Sequence, residues 1–94
     1  MTVGFVAAHY PQPTHFDKFV ARVQQVAEVL RSTPGCLSAE CWVTISGDAV
    51  VSTAQWESDE AFTASFAAVR DAGMDVTFDE RERQPRQIFK LRPS

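Results

Sequence analysis

Residues 36–57, CLSAECWVTISGDAVVSTAQWE, carry two β-rich runs on either side of Ser-Gly-Asp. Alternating runs joined by a Gly-first turn signal read as an antiparallel hairpin. In the first run Leu37, Ala39, Cys41, Val43 and Ile45 share one face, and Ser38, Glu40, Trp42 and Thr44 share the other. Taking Gly47-Asp48 as a two-residue turn pairs Ser46 with Ala49. That register sets Ile45 against Val50, Val43 against Ser52, Cys41 against Ala54 and Ala39 against Trp56. Two strands alone are not stable in water, so a hairpin placed mid-chain must be completed by elements from both flanks.

The flanks supply them. VGFVAAHY at 3–10 is apolar on both faces and reads as a central strand, ended by Pro11 and Pro13. Thr14 is the expected N-cap of a helix, with Asp17 in the capping-box position. Phe16, Phe19, Val20, Val23, Val26, Ala27 and Leu30 follow at helical spacing, up to Pro34-Gly35. Beyond the hairpin, Ser58 caps a second helix that turns Phe62, Phe66 and Val69 inward and ends near Ala72-Gly73. Residues 73–85 are weakly patterned, and RQIFKLR at 86–92 reads as a last strand. The order β-α-β-β-α-β predicts one domain over residues 1–94, an α+β ferredoxin-like fold: a four-stranded antiparallel sheet with both helices on one face. The other face carries Trp42, Val51, Thr53 and Gln55, too apolar to stay wet, which predicts a homodimer with two sheets face to face.

Composition narrows the function. A chain of 94 residues with net charge −3 does not offer a nucleic-acid surface. Arg81, Arg83, Arg86, Lys90 and Arg92 alternate with Asp79, Glu80 and Glu82 and read as a solvated face. No apolar run is long enough to span a membrane. The opening MTVGFVAAHYP lacks a basic segment and reads as a strand rather than a signal peptide. Cys36 and Cys41 stand at an odd spacing on one strand, on opposite faces, so they are expected unbridged in a reduced, cytoplasmic protein. Only His9 and His15 could join a metal site, and no ligand-spaced motif accompanies them, so no metal is expected. No glycine-rich phosphate loop and no nucleophile elbow occurs.

What is left is the space between sheet and helices. Its expected lining is Cys41, Val43, Ser52, Ala54 and Trp56 with Phe16, Phe19, Val23, Phe62 and Phe66, either a filled core or an aromatic pocket for a small ligand. Buried Trp56 would need a partner for its N–H, and Ser52 lies roughly 13 Å along the same strand face, so the two could mark opposite ends of a cavity. Cys41 reads as a small buried hydrophobe. His9 could serve as an acid/base group, although by position it reads as an exposed strand-end residue.

TPGCLSAECW, SGDAVVSTAQWESDEAF and the closing IFKLRP resemble the antibiotic biosynthesis monooxygenase family over nearly the whole chain. GFVA at 4–7, AVVSTAQWES at 49–58 and the spacing of Ala61, Phe62 and Phe66 resemble its actinorhodin-pathway branch. The resemblance implies a dimeric α/β barrel that oxidises a polycyclic anthrone-type phenol to a quinone with O₂ and without flavin, haem or metal. It also implies roles. Trp56 matches the family tryptophan that contacts substrate, and Ser52 stands where enzymes of that branch place an asparagine. Phe62 and Cys41 stand where those enzymes have tyrosines, and Arg70 is the candidate for their catalytic arginine. Ser65 and Phe66 replace the helix-two histidine of quinol-oxidising and haem-degrading members, which counts against haem degradation. On this basis Trp56, Arg70 and Ser52 are the expected catalytic residues. Cys41, Val43, Phe62, Phe66, Phe19 and His9 are the expected substrate-binding ones, with a small aromatic substrate and O₂ as partners. The same scaffold would also serve a cyclase, isomerase or decarboxylase of polyketide-like substrates, or a non-catalytic ligand-binding dimer.

Overall fold

The computed structural model describes residues 1–94. Its elements are β1 (Val3–His9), α1 (Phe16–Arg31), β2 (Cys36–Val43), β3 (Val50–Trp56), α2 (Asp59–Asp71) and β4 (Gln87–Leu91). The four strands form one antiparallel sheet in the order β2-β3-β1-β4, the ferredoxin-like arrangement. β1 is central, as its two-sided apolarity requires. No helix is long and apolar enough to cross a membrane.

The hairpin departs from its expected register by two residues. Val43 pairs with Val50, Cys41 with Ser52 and Ala39 with Ala54. The connection is longer than Gly47-Asp48 because the Thr44 hydroxyl accepts from the amides of Asp48 and Ala49, both at 3.1 Å, and closes a wider loop. Ile45 stands out of the sheet in that loop, fully exposed. A slip of two keeps every side chain on its face, so the inside-outside reading survives the error. A second irregularity does change a face. The register shifts between Cys36 and Ser38, which pairs Cys36 with Trp56 and ejects Leu37. Cys36 therefore packs against the core on the same side as Cys41, not opposite it, and both thiols are free.

Helix boundaries follow local chemistry. Pro13–His15 forms a 3-10 turn before α1, so Thr14 lies inside that turn and His15 takes the N-cap position without a side-chain bond. Ser58 does cap α2, accepting from the Ala61 amide at 3.1 Å. Gly35, just past α1, has φ +82, and a Cβ there would sit 2.7 Å from that of Ala61, so only glycine allows α2 to approach this turn.

Both helices cover the face bearing Val3, Ala7, Ala54 and Trp56. One buried cluster joins Val3, Ala27, Leu30, Ala39, Ala54, Trp56 and Val69, and a smaller one joins Phe19, Val23 and Val50. The opposite face stays open, with Trp42 55%, Phe89 54% and Leu91 45% exposed.

Candidate functional site

A cavity of about 320 Å³ lies between sheet and helices, at the small end of ligand-site volumes. β1 contributes Phe5, Ala7 and His9 to its wall, and β3 contributes Ser52 and Ala54. Phe19, Val23 and Ala27 reach it from α1, Phe62 and Phe66 from α2. Arg22 and Arg86 also line it, and exposed Asp75, Val76, Thr77 and Ile88 mark the side where it meets solvent. Phe5, Phe62 and Phe66 touch one another at ring-centroid distances of 5.1–6.3 Å and give one end an aromatic wall.

Residues 73–86 form a strap along the other end. Arg81 clamps Asp75 at 2.8 Å and Asp79 at 2.7 Å, and its guanidinium lowers the pKa of both carboxyls. Backbone bonds tie the strap to the segment after β1: Gln12 N–H donates to the Arg81 carbonyl at 2.7 Å and Arg83 N–H to the Tyr10 carbonyl at 2.8 Å.

Docking the strap buries a charged group beside His9. Glu82 is only 5% exposed, with one carboxylate oxygen 3.4 Å from His9 Nδ1 and the other accepting from Arg86. Arg86 also donates to the Val76 carbonyl at 2.8 Å, while its Nε is buried with no partner. His9 packs against the Phe19 ring, centroid to centroid 5.2 Å. Burial pushes the His9 pKa below its ordinary value and the Arg86 charge adds to this, with Glu82 opposing. These observations correct two sequence expectations. His9 is buried at 9% rather than exposed, and Glu82 and Arg86 belong to an interior ion pair rather than a solvated face.

The expected site residues divide in two. His9, Ser52, Phe19, Phe62 and Phe66 line the cavity. Trp56, Cys41, Val43 and Arg70 do not. Trp56 is fully buried behind the aromatic wall, edge-on to Phe5 and Phe62. Its Nε1–H donates to Ser65 Oγ at 2.8 Å; Ser65 contacts Thr33, and Thr33 donates to the Leu30 carbonyl at 2.6 Å. That chain satisfies the indole entirely within the core. Cys41 packs with the smaller cluster, where burial pushes its thiol pKa up, away from nucleophile behaviour. Val43 is 44% exposed at the end of β2. The Arg70 side chain is 76% exposed and reaches only Asp71. No three His, Cys, Asp or Glu side chains converge as metal ligands would.

The sequence profile of the family described as antibiotic biosynthesis monooxygenase matches residues 2–69. The chain belongs to that family. Solved structures repeat the architecture. Rv0793 from Mycobacterium tuberculosis superposes with a TM-score of 0.88 at 18% identity, over 100% of this chain and 96% of that one. A conserved protein from Methanosarcina mazei Go1 gives 0.86 at 12% identity, over 100% and 94%. PA3566 from Pseudomonas aeruginosa gives 0.78 at 16%, over 99% and 94%. At such identities the likeness speaks for the fold alone. No curated protein matches the chain significantly. For this member of the antibiotic biosynthesis monooxygenase family, the matched region ends before the strap that supplies Glu82 and Arg86.

Proposed function

We propose that this protein is a cofactor-independent monooxygenase that oxidises a polycyclic aromatic phenol of the anthrone type to a quinone with O₂. The observation that carries this reading is a buried histidine in the wall of an apolar, aromatic cavity, backed by a carboxylate. Glu82 is outside the wall and faces Nδ1, which favours the tautomer with Nδ1–H toward Glu82 and leaves Nε2 as the base. At 3.4 Å the contact is long, so its role is orientation.

The flat substrate lies among Phe5, Phe19, Phe62 and Phe66, with Ser52 as a hydroxyl partner for one of its oxygens. His9 removes a proton, and the electron-rich carbanion passes one electron to O₂. Recombination gives a hydroperoxide, which loses water: one oxygen atom becomes the new carbonyl and the other leaves as water. Arg86, a residue of the wall, places a positive charge near the oxyanion that develops on deprotonation. Trp56 holds the aromatic wall from behind, and Arg70 has no part in this reading.

Oxygen uptake with dithranol and chelator-treated protein tests the proposal. One O₂ should be consumed per dithranol, above the protein-free rate, with one labelled atom from ¹⁸O₂ in the quinone. The absence of both uptake and binding would refute it. Binding with exchange of the acidic proton but no uptake would assign the same base to an isomerase or cyclase.

We also propose that the open face, with Trp42, Val51, Phe89 and Leu91, packs on the same face of a second copy in a homodimer. Sedimentation at micromolar concentration should give twice the chain mass; a monomer would remove this part of the proposal.

A further inference from the structure

We propose that Arg22 makes the cavity selective for substrates that carry a carboxylate. The inference rests on the reading of the cavity as an aromatic-substrate site. Two arginines are among the lining residues, Arg22 and Arg86. Arg86 is engaged by Glu82 and the Val76 carbonyl. Arg22, on α1, takes part in none of the ion pairs and its one specific contact is with a ring: its Cζ lies 5.9 Å from the Phe19 centroid.

The acidic residues of the wall do not offset it. Asp75 is bound by Arg81 at 2.8 Å. Glu40 pairs across the sheet with Thr53 and alternates with Ala39, so it stands on the open face with Trp42. Arg22 is therefore a positive charge without an ion-pair partner at the border of a largely apolar space, where a fixed charge acts more strongly than in water. Its planar donor fork matches a carboxylate.

Phe19 is near both groups: its ring centroid lies 5.2 Å from that of His9 and 5.9 Å from Arg22 Cζ. A flat ligand bound beside Phe19 is therefore within reach of both the base and the arginine. The substrate class is thus an aromatic phenol or enol acid rather than a neutral polycycle.

Two matched probe pairs test this: dihydroxyanthrones that differ only in a carboxyl or a methyl on an outer ring, and the corresponding anthraquinones. The carboxylated quinone should bind about tenfold more tightly than the methylated one, and added salt should erode that preference alone. Arg22→Gln should bring the ratio near one, and Arg22→Lys should restore part of it, with thermal melting reporting the fold of each. Equal binding of both quinones to the unmodified protein, or an unchanged ratio in Arg22→Gln, overturns the inference. Quinone binding needs no turnover, so retained preference without anthrone oxidation overturns only the proposed reaction. Failure of both quinones to bind overturns both.

Discussion

His9→Asn is expected to lower dithranol turnover by about 10² to 10⁴-fold, the usual contribution of a positioned acid/base group. Asparagine can still face Glu82 but has no titratable nitrogen. The pH profile supplies an independent check. Burial and then the Arg86 charge place the His9 pKa below its ordinary 6.5, so the neutral, basic form persists into mildly acidic solution. Activity should be full above that lowered value and fall as pH drops through it, and the acid limb should vanish in His9→Asn. The same shift has a stability consequence of defined sign. Between the lowered value and 6.5 the unfolded chain binds a proton that the folded chain does not, so His9 favours the native state above this window and loses that contribution as pH falls through it. A His9→Asn protein within threefold of the original rate would remove the histidine from the mechanism.

Trp56→Ala should act mainly on stability, by about 3–5 kcal/mol. Its ring is fully buried and braces Phe62 at 5.0 Å and Phe66 at 5.7 Å, so truncation opens a hole behind the cavity wall. A loss of that size approaches the entire stability of many small domains. Trp56→Phe is the companion variant: it keeps an aromatic ring at the position but removes the second ring together with the N–H bonded to Ser65. Its urea midpoint should fall modestly while dithranol oxidation stays within a few-fold. Unchanged midpoints with abolished oxidation in both variants would instead make Trp56 a substrate contact.

The fold was legible in the sequence because its determinants are local. Period-two runs, two helical stripes, the Ser58 cap and the glycine after α1 each act over a few residues, and they suffice for the sheet order. The errors also have local causes that a pattern does not display: the Thr44 hydroxyl widening a turn, the bulge at Leu37, and a 3-10 turn in place of a Thr14 cap. The site was only half legible. Phe19, Ser52, Phe62 and Phe66 sit on regular elements, so periodicity aims them at the cavity. Glu82 and Arg86 lie on the strap, outside any repeat, and a mixed-charge stretch has the composition of a wet surface. The available signal was the i,i+4 spacing of Glu82 and Arg86 ahead of the last strand, which needs the fold to give it a partner. Trp56 failed in the opposite way: a large aromatic on the inward face suggested a ligand wall, and Ser65, nine residues on, turned out to satisfy it.

The contact between His9 and Glu82 joins groups 73 positions apart. β4 must zip against β1, from Gly4–Leu91 to Ala8–Gln87, for the strap to be held at both ends. His9 thus gains its carboxylate partner only once segments far apart in the chain have come together. A nascent or partly frayed molecule would expose an unoriented imidazole, so under the proposed reaction the base is assembled only with the C-terminal strand in place.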